Sequence, residues 1–343
     1  MADYSPIDAD GHVIETDEEM SPYLPAPYAG SRSLTALFPT LDGWQRGARR
    51  PDSSKGLKKW QAFFAASGVF GSVLYPTVGL SIGLVKDPNW AIVLARGYNN
   101  YLYGEYLQND PERLWGIALL PIQDVGAAAE ELERAVTEMG MVGGLIPAVG
   151  LPRGIGHPMY DPLYRTAVRL NVPLAVHGGS SQGLGLDLYD SFVKVLVMEH
   201  AIAQQIQFTS YLLDGGAVRF PTLKIVFLEA GAGWVPYLMD RLDEKYEMHH
   251  HQAPLLVQEP SRYVIDCPIY FTCELEERTL PYLIERGLGD RLMYASDYPH
   301  ERAGLEQFLG DVPRFQKRQD LTEDGKRRIL HDNCVNFYAL GDR

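Results

Sequence analysis

Eight short runs of β-forming residues recur along the chain, and the longer segments between them carry apolar residues three and four apart. The runs lie near Ser5 to Val13, Val69 to Tyr75, Leu114 to Pro121, Gly143 to Val149, Val172 to His177, Leu223 to Glu229, Pro268 to Cys273 and Arg291 to Asp297. Helical patterns between them include Trp90 to Gln108, Val125 to Met139, Asp161 to Leu170, Phe192 to Leu213 and Val235 to Tyr246. Several runs are apolar throughout, such as Ile225-Val226-Phe227-Leu228, as parallel strands covered on both faces must be. An open doubly wound sheet has the same local pattern, but it gathers its ligands at one switch point. Here ionisable residues end runs one, five, six and eight. The pattern therefore predicts a (β/α)8 TIM barrel with its site at the C-terminal ends of the strands.

The 343 residues, 46% hydrophobic and 22% charged, suit one globular domain over 1–343, because such barrels run longer than an average domain. Residues 15–66 break the rhythm. They hold Pro22, Pro25, Pro27, Pro39 and Pro51, a basic patch at Arg46, Arg49 and Arg50, and the aromatics Phe38, Trp44, Trp60, Phe63 and Phe64. They read as an insertion after the first strand, either a lid or pocket wall at the catalytic end of the barrel or a surface excursion with helical turns. A net charge of −13 without a Lys/Arg cluster argues against a nucleic-acid partner. No apolar stretch approaches the roughly 20 residues that span a bilayer, and the first residues lack a signal-peptide pattern. No membrane partner and a cytoplasmic location are expected. Cys267, Cys273 and Cys334 are odd in number and lack CxxC spacing, so they are expected to be free thiols. Neighbouring side chains in His249-His250-His251 diverge, which favours a solvated or interface loop over a metal site.

The chemistry starts at Asp10-Gly11-His12. Strand residues two apart point to one side, so Asp10 and His12 can share an ion, with Asp8 expected on the same side as a supporting carboxylate. His177 closes an apolar run and precedes Gly178-Gly179; Asp297 closes another and precedes Tyr298-Pro299-His300. An ionisable group at the end of a buried strand costs several kcal/mol unless it is paired. Three such ends together call for a divalent cation.

Asp8-Ala-Asp-Gly-His12, His177-Gly-Gly, Phe227-Leu-Glu-Ala-Gly-Ala-Gly-Trp234 and Ser296-Asp-Tyr-Pro-His300 together resemble the metal-dependent amidohydrolase superfamily. The branch they resemble includes aminocarboxymuconate semialdehyde decarboxylase and the resorcylate-type decarboxylases. The resemblance runs over nearly the whole chain. It implies a distorted barrel holding a divalent ion, zinc or manganese, with Asp10, His12, His177 and Asp297 as metal ligands; iron suits the same donors, and one ion per chain is expected ahead of two. Asp297 would also move a proton. It further implies a small-molecule substrate and a homo-oligomer, a dimer.

The departures from the family pattern have consequences of their own. The first ligand of the strand-one pair is Asp10 where many relatives have histidine, and Ile146-Pro147 excludes a bridging lysine on strand four. Strand six ends in Glu229 where a histidine is usual. An ionised glutamate only accepts hydrogen bonds, so Glu229 must have a raised pKa, act as a base, or bind a second cation with His200 and His300. Catalytic roles are thus expected for Asp297, Glu229 and His300. The leading expectation is a metal-dependent hydrolase, with activated water attacking a small amide or lactone. The alternatives are a non-oxidative decarboxylase of an aromatic or unsaturated acid, a dinuclear iron or manganese oxygenase, and a non-catalytic binding protein.

Overall fold

The computed structural model describes residues 4–30, 36–41, 56–300 and 305–342. Its eight strands are β1 (Ile7–Val13), β2 (Gly71–Pro76), β3 (Leu114–Leu119), β4 (Gly143–Pro147), β5 (Leu174–His177), β6 (Ile225–Phe227), β7 (Ile269–Cys273) and β8 (Leu292–Tyr294). Each pairs in parallel with the next in sequence order. The seam between β8 and β1 closes just past the end of β8. There Asp297 N donates to Asp10 O at 2.9 Å and His12 N donates to Tyr298 O at 2.8 Å. The predicted (β/α)8 barrel is present, and its closing bonds run through the candidate site.

Helices return the chain between strands: α1 (Gly56–Ser67), α2 (Pro88–Glu105), α3 (Val125–Met139), α4 (Asp161–Leu170), α5 (Phe192–Leu213) and α6 (Val235–His249) precede β2 to β7 in turn. Their ends follow local chemistry. Asp87 caps α2 ahead of Pro88, Asp124 accepts from Ala127 N at the start of α3, and Asn171 ends α4 in the left-handed region. Strand faces are buried throughout, with Val73, Leu145, Val176, Val226 and Phe271 fully inaccessible. One polar bridge crosses this shell: Asn99 donates to Leu119 O at 3.0 Å and to Glu131 Oε1 at 2.7 Å.

Three expectations change at this level. First, β6 and β8 stop short of Glu229 and Asp297. Both residues take left-handed backbone, φ 52° and 53°, which turns the chain out of the ladder. Second, the insertion is shorter than expected, because Gly56–Ser67 is the barrel's own first helix. Trp44, Arg46, Arg49, Arg50 and Pro51 lie outside the described residues, so the basic patch and the lid role do as well. Third, β1 carries a bulge: Asp8 pairs with Ser72 and Gly11 with Leu74, so an extra residue stands on β1. The bulge moves Asp8 to the face of Gly11, opposite Asp10 and His12. A Cβ on Gly11 would lie 2.8 Å from Asp8 Oδ2 and 2.3 Å from Ser72 Oγ, so only glycine fits there.

The three cysteines are free and buried, and His249 to His251 lie exposed at the end of α6 and in the turn after it. Among the described residues, no helix is long and apolar enough to cross a membrane.

Candidate metal centre

Asp10, His12 and His177 are completely buried at the C-terminal end of the barrel. His12 Nε2 lies 3.5 Å from Asp10 Oδ1 and 3.5 Å from Asp297 Oδ1, and His177 Nε2 lies 3.3 Å from Asp10 Oδ1. The backbone sets the state of both rings. His12 Nδ1 sits 2.8 Å from Pro76 O and His177 Nδ1 sits 3.0 Å from Gly178 O. A carbonyl only accepts, so each Nδ1 carries a proton, and in the neutral ring each Nε2 presents a lone pair.

Imidazole lone pairs and carboxylate oxygens therefore face one another around His12 Nε2. His12 Nε2, Asp10 Oδ2 and Asp297 Oδ1 are buried without a hydrogen bond of acceptable geometry. Asp10, His12 and His177 bring ligand atoms within 4.8 Å of one another, as do His12, Asp297 and His300. Buried acceptors facing each other are unfavourable unless a cation lies between them, and this donor set suits manganese, iron or zinc. The residues present fit a divalent ion.

Protons take the cation's place in the metal-free chain. Burial pushes the Asp10 carboxyl up, but the adjacent His177 and His12 overcome it and hold it well below the usual carboxylate range. Burial pushes His177 down and Asp10 more than reverses that, raising it.

Asp8 anchors the centre from behind. It accepts from Ser72 Oγ at 2.7 Å, Ser296 Oγ at 2.7 Å, Ser296 N at 2.8 Å and Asp10 N at 3.2 Å, tying β1 to β2 and to the segment after β8. Burial lifts its pKa to about 6, against the pull of those donors. Helix α1 braces the same seam: Trp60 Nε1 donates to His12 O at 3.2 Å, and the Phe63 ring stacks on Tyr298 at 4.4 Å.

Glu229 and His200 form a neighbouring pair. Glu229 Oε2 lies 3.5 Å from His200 Nδ1 and 3.6 Å from His177 Nδ1, while His200 Nε2 lies 3.5 Å from the buried Glu199. Gly178 makes this approach possible, since a Cβ there would stand 2.2 Å from His200 Nδ1. Burial pushes His200 down, yet Glu229 and Glu199 raise it to about 9. His300 lies elsewhere, with Nδ1 2.7 Å from Asp297 Oδ1 and Nε2 2.8 Å from Thr77 Oγ1. Among the described residues, Glu229 stands with His200 and His300 stands with Asp297, so the three do not form one group.

Three residues at the site were not singled out in the sequence: Thr77, Glu15 and Glu199. Thr77 directly follows β2, and Glu15 stands two places after β1, both at the catalytic end. A charged residue so close behind a buried strand was the available signal for Glu15.

A family model described as Amidohydrolase matches residues 75–340, well over half of the chain. The chain belongs to the amidohydrolase family. This amidohydrolase is 30% identical over 285 residues to a gamma-resorcylate decarboxylase of Rhodococcus jostii (strain RHA1), covering 76% of this chain and 80% of that protein. It is 26% identical over 278 residues to a gamma-resorcylate decarboxylase of Polaromonas sp. (strain JS666), with 76% and 80% covered. Its fold matches that of 5-carboxyvanillate decarboxylase from Novosphingobium aromaticivorans, solved with bound manganese and 3-methoxy-4-hydroxy-5-nitrobenzoic acid. The TM-score is 0.76 at 20% identity, over 98% of this chain and 97% of that one. The two gamma-resorcylate decarboxylases overturn the hydrolase expectation, because they are enzymes that remove a carboxylate. The metal-centre motifs are shared across the superfamily and do not separate the two reactions, so motif reading alone misassigned the chemistry.

Proposed function

We propose that this amidohydrolase is a divalent-metal-dependent, non-oxidative decarboxylase of an aromatic acid whose carboxylate stands beside a ring hydroxyl. The observation that carries this reading is the pair of ligand groups that share His12, one with Asp10 and His177 and the other with Asp297 and His300. The decarboxylase relatives support the choice of reaction. In this reading those four residues hold a single ion, manganese, zinc or iron. When bound, the ion supplies a Lewis acid for the substrate's carboxylate and adjacent oxygen.

The chain's own groups do the rest. His300 and Asp297 hold a proton at the end of β8, and Asp297 delivers it to the ring carbon that bears the carboxylate. The bond from ring to carboxylate then breaks, its electron pair restores the aromatic ring, and carbon dioxide leaves. A proton from water refills the pair. Glu229, flanked by His200 and His177, is an acceptor for a substrate hydroxyl and orients the ring.

The test reloads metal-free protein separately with manganese, zinc and iron, and supplies gamma-resorcylate and 5-carboxyvanillate. Carbon dioxide release that a chelator abolishes is the expected result. Hydrolysis of an amide or lactone by the loaded protein, with no carbon dioxide from either acid, overturns the reading.

A further inference from the structure

We propose that Thr77 is a positioning residue whose hydroxyl fixes His300 as the Nε2-protonated imidazole, so that Nδ1 is the nitrogen presented to Asp297. The inference rests on the proposed role of the His300–Asp297 pair as the proton source.

Two short contacts at one hydroxyl carry the argument. Thr77 Oγ1 lies 2.7 Å from Val13 O and 2.8 Å from His300 Nε2. A carbonyl has no proton to give and a hydroxyl has one, so that proton lies on the bond to Val13 O. Toward His300 the hydroxyl oxygen can then only accept. Nε2 must therefore bring its own proton, which excludes the tautomer protonated at Nδ1 alone. On the far side of the ring, Nδ1 stands 2.7 Å from Asp297 Oδ1. Fixing Nε2 thus leaves Nδ1 as the nitrogen that faces the Asp297 carboxyl.

Thr77 is itself held in place. The buried Glu15 accepts from Thr77 N at 3.0 Å and from Gly79 N at 2.5 Å, clamping the turn that follows β2. The His300 ring also lies against His12, with centroids 4.0 Å apart and planes tilted by 30°, which limits its rotation. With the backbone pinned by Glu15 and the ring confined by His12, the hydroxyl selects which nitrogen carries the fixed proton.

The experiment records 15N spectra of histidine-labelled, metal-free protein and assigns His300 by its loss in His300→Gln. Wild-type protein is expected to show His300 protonated at Nε2. In Thr77→Val the signal should move to a mixture of tautomers, and in Thr77→Ser the wild-type pattern should return. In the metal-loaded enzyme Thr77→Val should lower kcat about 10- to 100-fold, the scale of a misplaced reacting group, with KM unchanged. Thr77→Ser should recover most of that loss. A wild-type His300 with a bare Nε2 overturns the inference even if no variant folds. So does a Thr77→Val protein that keeps both the Nε2-protonated signature and the full kcat. The spectra need no turnover, so a protein that decarboxylates nothing defeats the proposed function and leaves the tautomer assignment standing.

Discussion

The ends of β6 and β8 use the same backbone device to place a carboxylate. Glu229 and Asp297 both adopt left-handed φ, at 52° and 53°, a conformation that costs a non-glycine residue about 1–3 kcal/mol. The other two such residues among those described, Asn171 and Ala339, end helices, where that conformation is ordinary. The strained pair instead stands where the chain leaves β6 and β8, at the catalytic end of the barrel. What surrounds them differs. Burial pushes Glu229 up, but His200, His177 and more distant histidines pull it below its ordinary value. Burial also pushes Asp297 up, and there Glu229 adds to it, so that despite His12 its carboxyl rises well above the usual range. Matched backbone geometry thus leaves the two carboxyls shifted in opposite directions in the metal-free chain, because the surrounding histidines outweigh burial at Glu229 and do not at Asp297. A cation bound beside Asp297 competes with its proton.

The sharpest way to break the comparison is at β8. Asp297→Asn removes the proposed proton donor and should lower turnover by about 10²- to 10⁴-fold while substrate still binds, measured by single-turnover kinetics and inhibitor titration. Turnover within a fewfold of wild type would move the acid to another residue. Glu229→Gln should cost less, about 10- to 100-fold, the scale of a misoriented substrate, with the metal content per chain unchanged. Loss of metal in that variant would make Glu229 a ligand and would collapse the distinction between the two strand ends.

The smallest effect is on stability. The folded-state pKa of His200 is raised from 6.5 to about 9, so its contribution is complete below about pH 6.5 and is lost as pH rises through 9. That contribution is at most about 3 kcal/mol. Denaturant unfolding of metal-free protein at pH 6 and pH 9.5 should show a larger stability drop for wild type than for His200→Gln. Equal drops would mean that the pair with Glu229 adds nothing to folding.

Much of the barrel was legible because its strands are short apolar runs punctuated by ionisable ends. Helix Phe192–Leu213 matched its predicted bounds, and Asp10, His12, His177 and Asp297 all meet at one face. The ends of β6 and β8 were overextended for a physical reason. Period-two reasoning cannot register a single left-handed residue, so both runs were carried through Glu229 and Asp297. The same blindness hid the β1 bulge, so Asp8 was expected beside Asp10 when it in fact ties three strands together from behind. Thr77 and Glu15 act through backbone carbonyls and amides, and such contacts leave no spacing pattern to read. The reaction was the least legible feature of all, because one set of ligands serves both hydrolysis and decarboxylation.

The central claim is that one ion is held jointly by β1, β5 and β8. Its most direct test is the metal content of wild-type protein and His177→Ala after equilibration with manganese, zinc or iron and removal of excess, with circular dichroism to verify folding. The account predicts about one ion per wild-type chain and background levels in a folded His177→Ala protein. Full occupancy in that variant, or none in wild type with any of the three metals, would contradict it.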